Sequence, residues 1–167
     1  MKTGVMRQGV GCNSDAFTPY THLAPYTHFS GTNMAGYSGK SLTDKLGIKP
    51  GSRLVILAPP PGYARTLGPL PRAVVVAKTL HGAFNFIQFF TTRRTDLERR
   101  FAALARALQP AGMLWISWPK KASGLPTDIT ENVVREVALA GGLVDVKVCA
   151  VDDTWSGLKL VRRVKDR

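Results

Sequence analysis

Apolar residues lie without period between Met1 and about Asn33, and from Met34 onward they fall into two alternating kinds of run. "RLVILA" (Arg53 to Ala58) is a continuous apolar run of the type found in strands covered on both faces. "AVVVA" (Ala73 to Ala77) and "FNFIQFF" (Phe84 to Phe90) are rich in β-branched or aromatic residues and predict two more strands. "MLWISW" (Met113 to Trp118) and "LVDVKVCAV" (Leu143 to Val151) add two others. "LKLVRRV" then predicts a last strand that returns antiparallel after the turn "DDTWSG".

Helical runs separate them. Ser41, Asp44 three residues on and Gly47 outline a short capped helix. Thr95 and Glu98 have the spacing of a capping box, with Leu97, Phe101, Leu104 and Leu108 on one face and Pro110 and Gly112 as terminators. A second helix starts at Thr127 or Asp128, with Glu131 reaching back, Ile129, Val133, Val137 and Ala140 on one face, and Gly141-Gly142 closing it. The repeated exchange of strand for helix predicts a single α/β domain over 34–167 with a mostly parallel, Rossmann-like sheet and an antiparallel C-terminal strand pair.

In such a sheet the loops leaving the carboxyl ends of the strands share one edge. That edge collects "APPPGY" (Ala58 to Tyr63), "TTRR" (Thr91 to Arg94), "WPKK" (Trp118 to Lys121) and "DDTWSG" (Asp152 to Gly157). One connection strains the scheme: six residues separate Ala77 from Phe84, and a parallel crossover usually needs a dozen or more. Either the chain returns along an abbreviated strand, or the second and third strands form an antiparallel hairpin.

The leader up to about Asn33 contains "PYTHLAPYTH" and too little apolar surface to offset its ordering entropy, which predicts disorder or a true start at Met34. His22 and His28 with Cys12 match no common metal spacing. No segment resembles a secretory signal or approaches the ~18 apolar residues of a membrane span, and two distant cysteines suit a reducing compartment, so a cytoplasmic protein without membrane contact is expected. A chain of 167 residues that is 44% hydrophobic can bury a real core. Its formal net charge of +12 is large and permits a polyanionic partner. The basic residues are nevertheless spread out and accompany no recognisable nucleic-acid module, so a small anionic ligand is favoured and nucleic acid is the second choice.

The succession of a helix, "LQPAGMLWISW", a helix, "GGLVDVKVCAV" and a returning "LKLVRR" resembles the second half of class I methyltransferases. More closely, Met34 to Arg167, with "GYSGKSL", "LGIKPGSR", "APPPGY", "LWISWPKK", "TDITENVVRE" and "VDDTWSGLKLVRR", is similar to an uncharacterised bacterial domain-of-unknown-function family. The second resemblance implies a bacterial cytosolic source and no chemistry. The first implies a methyltransferase-like fold. It also implies a Gly-rich turn after the first strand to cradle S-adenosylmethionine and an acidic residue ending the second strand to hold the ribose. Here the turn is Pro59-Pro60-Pro61, which removes three N–H donors, and the second strand runs into Lys78. S-adenosylmethionine is therefore disfavoured as cofactor.

The candidate ligand-binding residues are Arg93, Arg94, Trp118, Lys120, Lys121, Asp152 and Trp155, all at the shared edge. Arg93 and Arg94 precede a helix start, where free N–H groups and guanidinium groups favour a phosphate or carboxylate. Lys120 and Lys121 could add point charges or close the edge through Asp152 and Asp153. Those aspartates suit local hydrogen bonding to a turn better than acid/base work. Trp118 and Trp155 could stack on a ring or cap the core, while Trp115 belongs to the core, His81 to a tight connection, and Ser156 has no histidine placed as its base. The expectation is an anion- or small-molecule-binding domain of methyltransferase-like fold without a standard S-adenosylmethionine site. The alternatives are a basic interaction module for nucleic acid or an acidic protein, and a divergent methyltransferase.

Overall fold

The computed structural model describes residues 39–166, so the expectations for the leader, Met34, Cys12, His22 and His28 lie outside the described residues. Six strands form one sheet: β1 (Arg53–Leu57), β2 (Val75–Ala77), β3 (Phe84–Phe90), β4 (Leu108–Pro119), β5 (Leu143–Ala150) and β6 (Trp155–Arg162). Their spatial order is β2-β1-β3-β4-β6-β5. β1, β2, β3 and β4 pair in parallel, and β6 is antiparallel to both β4 and β5. The architecture is the expected mixed α/β sheet with an antiparallel C-terminal pair.

The helices are α1 (Leu42–Leu46), α2 (Tyr63–Leu67), α3 (Arg94–Arg106) and α4 (Glu131–Ala140). α3 and α4 cover one face, where Leu97, Phe101, Leu104, Val134 and Ala138 pack on Val55, Ile87, Leu114, Ile116 and Leu158. α1 and α2 cover part of the other, where Leu46, Tyr63 and Leu67 pack with Leu54, Phe86, Phe90 and Trp115. Trp115 is fully buried in the core, and its indole N–H donates to the Leu46 carbonyl at 3.0 Å, tying α1 to the sheet.

The uncomfortable connection resolves in favour of the abbreviated strand. β2 has only three residues, so six suffice to return beside its start and enter β3 in parallel across β1. Arg53 pins the return: its guanidinium donates to the His81 carbonyl at 2.9 Å and lies 4.9 Å from the centre of the Phe84 ring.

Three local expectations need correction. α3 ends at Arg106, and Pro110 and Gly112 belong to β4, where the register jumps from Phe84↔Leu108 to Phe86↔Met113. Gly112 is required there because a Cβ would stand 2.8 Å from the Phe84 carbonyl oxygen. The first turn of α3 has no capping box: Arg93 is the cap position without a side-chain bond, and the carboxylate of Asp128 accepts the Arg94 N–H at 2.6 Å. α4 starts three residues later than Asp128, with Thr130 as cap accepting from the Val133 N–H, which turns Val134, Val137 and Ala138 inward.

Candidate functional site

The carboxyl ends of β1 and β3 mark the place where the chain changes direction within the sheet, since β2 lies on one side of β1 and β3 on the other. Open α/β sheets part their loops at such a point and leave a crevice. Here the crevice is a cavity of about 280 Å³ lined by Ala58, Phe89, Phe90, Thr91, Thr92, Asp96, Arg99, Arg100 and Trp155. Its base is aromatic. Trp155 meets Phe90 edge to face at 5.1 Å between ring centres, and Phe90 meets Tyr63 in the same way at 4.7 Å. Its wall is the first two turns of α3, where Arg99 pairs with Asp96 at 2.8 Å and Arg100 lies 5.5 Å from the centre of the Phe89 ring.

Beneath the aromatic base runs a buried polar chain. The Tyr63 hydroxyl donates to Gln88 Oε1 at 2.6 Å, and Gln88 Nε2 donates to Ser117 Oγ at 3.0 Å. Gln88 and Ser117 are completely buried, so each bond satisfies a group that water cannot reach. The chain ties the turn after β1, which carries Tyr63, to the middle of the sheet.

That turn departs from its sequence reading. Ala58 has φ 49°, a left-handed backbone that a residue with a Cβ adopts at a cost, and it does so one step before the prolines. The chain thus makes the left-handed step of a glycine turn without a glycine. Gly62 then takes φ 78° and opens α2. Pro59 to Pro61 stiffen the loop after its direction has been set.

The β4–β6 pairing brings four of the predicted residues together. Pro119 pairs with Trp155 and Trp118 with Ser156. The Lys120 N–H donates to the Thr154 carbonyl at 2.7 Å, and Lys120 Nζ donates to the Asp152 carbonyl at 2.5 Å. The Asp152 carboxylate accepts the N–H groups of Thr154 at 2.8 Å and Trp155 at 2.6 Å. Lys120 and Asp152 therefore fold the loop that presents Trp155, the one predicted residue that lines the cavity. Trp118 is buried in the core. Lys121 is exposed and opens a short 3-10 turn, Lys121–Ser123.

Arg93 and Arg94 go elsewhere. Arg93 is exposed at the cap of α3. Arg94 donates to Glu98 at 2.7 Å and to Glu136 of α4 at 3.2 Å, in a groove between the two helices. The hydrogen bond and charge of Glu98, with Glu136 adding to them, hold its guanidinium above the ordinary value. The anion expected at this helix start is supplied by the chain itself, as the carboxylates of Asp128, Glu98 and Glu136.

The cavity residues that were not among the candidate ligand-binding residues are Ala58, Phe89, Phe90, Thr91, Thr92, Asp96, Arg99 and Arg100. Phe89 and Phe90 end a predicted strand, and Asp96, Arg99 and Arg100 lie within two turns of a predicted helix start. The available signal was their place just before and after "TTRR", at the shared edge.

No helix among the described residues is long and apolar enough to cross a membrane. No protein-family model matches the chain, and no curated protein matches it either. Solved structures do resemble it. Magnesium protoporphyrin IX methyltransferase from Synechocystis PCC 6803 with bound SAH is 12% identical over 54% of this chain and 51% of that chain, at a TM-score of 0.43. That match takes in about half the length of the SAH-bound chain. The same enzyme with bound SAM gives 11% identity over 73% and 74%, at a TM-score of 0.48. A SAM-dependent methyltransferase from Aquifex aeolicus is 15% identical over 71% of this chain and 86% of that chain, at a TM-score of 0.51. The last likeness establishes a shared methyltransferase-like fold. It also overturns two expectations drawn from the sequence: that the chain is an anion-binding or interaction domain without a standard cofactor site, and that S-adenosylmethionine is disfavoured. The prolines that follow Ala58 do not prevent its left-handed step.

Proposed function

We propose that this chain is an S-adenosylmethionine-dependent methyltransferase whose cofactor site is the cavity at the carboxyl ends of β1 and β3. The observation that carries the reading is the donor set gathered at that one point of the sheet. S-adenosylmethionine carries a carboxylate, an ammonium, a sulfonium, a ribose diol and an adenine. The cavity offers Arg99 and Arg100 for the carboxylate and Asp96 for the ammonium or the diol. Thr91 and Thr92 add polar contacts, and Phe90 and Trp155 offer aromatic surface for the adenine. The residue types present fit the group. The likeness to the Aquifex aeolicus SAM-dependent methyltransferase supports the same reading.

The cofactor when bound supplies a methyl group on a positively charged sulfur, which a nucleophilic atom of the acceptor takes up. The chain's own part is to bind, orient and exclude water. Lys120 and Asp152 are positioning residues that hold Trp155 at the base of the cavity. Tyr63, through Gln88 and Ser117, holds the turn that begins at Ala58.

Calorimetric titration of the protein with S-adenosylmethionine tests the proposal. A dissociation constant at or below ~10 μM, worth about 7 kcal/mol, is expected. Asp96→Asn and Arg99→Gln should each weaken it at least tenfold while leaving the thermal midpoint within about 2 °C, since exposed ion pairs contribute only ~0–1 kcal/mol. Absence of binding at millimolar cofactor would overturn the assignment.

A further inference from the structure

On the face of the sheet that carries α1, Lys147 of β5 and Lys159 of β6 are direct register partners, and Lys159 is in turn the partner of the buried Trp115 of β4. Trp115 binds the Leu46 carbonyl, and Lys147 Nζ donates to the Lys45 carbonyl at 3.0 Å, so the last turn of α1 stands over this pair. Lys49 follows that turn two residues after its Gly47 cap. Lys147 and Lys159 thus face each other on this side of the sheet, and the positive charges of Lys147 and Lys49 both act on the Lys159 ammonium. Among the described residues none of the three has a carboxylate partner, whereas Arg94, Arg99 and Arg135 all do. Like charges opposite each other across strands are destabilising, so a sequence that places them there without an acid leaves room for an external anion.

We propose that Lys49, Lys147 and Lys159 bind phosphate groups of the acceptor substrate, which is therefore a phosphate-bearing molecule. Its role as acceptor rests on the methyltransferase reading; its phosphate chemistry rests on the lysines alone. β6 links the two sites. Lys159 is four residues from Trp155 at the cavity, about 13 Å along an extended strand. An acceptor held at the lysines must reach that far to present an atom to the cofactor, which favours an extended molecule with several phosphates over a single inorganic ion. Partial burial, with Lys147 and Lys49 repelling it, holds the Lys159 ammonium below its ordinary value, the condition that a bound phosphate would relieve. The net charge of +12 agrees in sign.

The test uses the full chain and two probes: a fluorescent single-stranded RNA 12-mer and inorganic tripolyphosphate. Titrations of the parent and of Lys147→Gln/Lys159→Gln are run at several salt concentrations. The proposal expects at least one probe to bind the parent and to lose tenfold or more in the double variant. For RNA, the slope of log affinity against log salt should also fall by about 0.7 for each lost phosphate contact. Loss with RNA alone identifies a nucleic-acid strand as the phosphate source, and loss with tripolyphosphate alone identifies a small phosphorylated acceptor. Equal affinity and equal slope in parent and variant, or no binding of either probe to the parent, overturns the proposal. If the double variant does not fold, the exposed Lys49→Glu carries the same test. S-adenosylmethionine titrations on the same proteins separate the two claims. Cofactor binding with no lysine-dependent phosphate binding sinks the patch alone, and lysine-dependent binding without cofactor affinity sinks the methyltransferase reading alone.

Discussion

The Tyr63 hydroxyl donates to Gln88 Oε1 at 2.6 Å across the buried interface between α2 and β3, and Gln88 passes the connection on to Ser117 of β4. A turn that must hold a left-handed alanine is thereby anchored to two strands by groups shielded from water. Tyr63→Phe keeps the ring against Phe90 and removes only the oxygen, leaving Gln88 Oε1 without its donor. The loss should be about 1–3 kcal/mol. In a protein of this size that lowers the thermal midpoint by roughly 2–4 °C per kcal/mol. A midpoint unchanged within error would mean that the polar chain contributes nothing to holding the turn.

Asp128 and the Arg94 N–H are 34 residues apart in sequence and 2.6 Å apart in space. The loop before α4 therefore caps α3, and Asp128→Ala should destabilise the protein by about 0.5–2 kcal/mol, the usual cost of losing a cap. Thr95→Ala, which the capping-box expectation would make equally costly, should stay within about 0.5 kcal/mol of the parent. Urea denaturation of the two variants decides between the local and the distant cap.

These two cases show where the sequence was legible. Ser41 and Gly47 cap α1 as their spacing predicts, because both bonds close within six residues. The strands from Arg53, Phe84 and Leu143 appear where apolar or β-branched runs place them, because burial selects residue type directly. Asp128 as the cap of α3 was invisible, since a side chain's reach across 34 residues leaves no periodic trace. The candidate site divides along the same line. The shared edge was readable from strand direction, and Trp155 was on it. Which charged residues face the cavity was not readable from strand direction: Arg94 pairs with Glu98 and Glu136 in the groove between α3 and α4, whereas Arg99, paired with Asp96, and Arg100 line the crevice.

Lys159 gives a pH dependence with a definite sign. Burial, then the charges of Lys147 and Lys49, lower its proton affinity in the folded state below the ordinary value of 10.5. The unfolded chain binds this proton more tightly, so folding stability rises with pH between the lowered value and 10.5. Below that window the penalty is present in full. Lys159→Met removes the charge and should unfold at a slightly higher temperature than the parent at neutral pH, with the gap closing as pH climbs through the window. Thermal melts of both proteins across alkaline pH check this. A gap that does not change with pH would assign the gain to packing alone.

Ala58 provides the sharpest link between backbone and function. At φ 49° its Cβ crowds the following carbonyl, a strain of about 1–2 kcal/mol that glycine does not feel. Ala58→Gly should relieve it, offset by up to about 1 kcal/mol for the extra freedom of glycine in the unfolded chain, so the net change is a small stabilisation. Because the turn keeps its shape, S-adenosylmethionine affinity should stay within about threefold of the parent. Ala58→Val acts in the opposite direction. A β-branched side chain tolerates positive φ poorly, so the turn must shift at the lip of the cavity. This variant should lose both stability and at least tenfold in cofactor affinity, measured by thermal melts and calorimetry on the same samples. If Ala58→Val folds and binds like the parent, the left-handed step is dispensable and the turn after β1 is not part of the site.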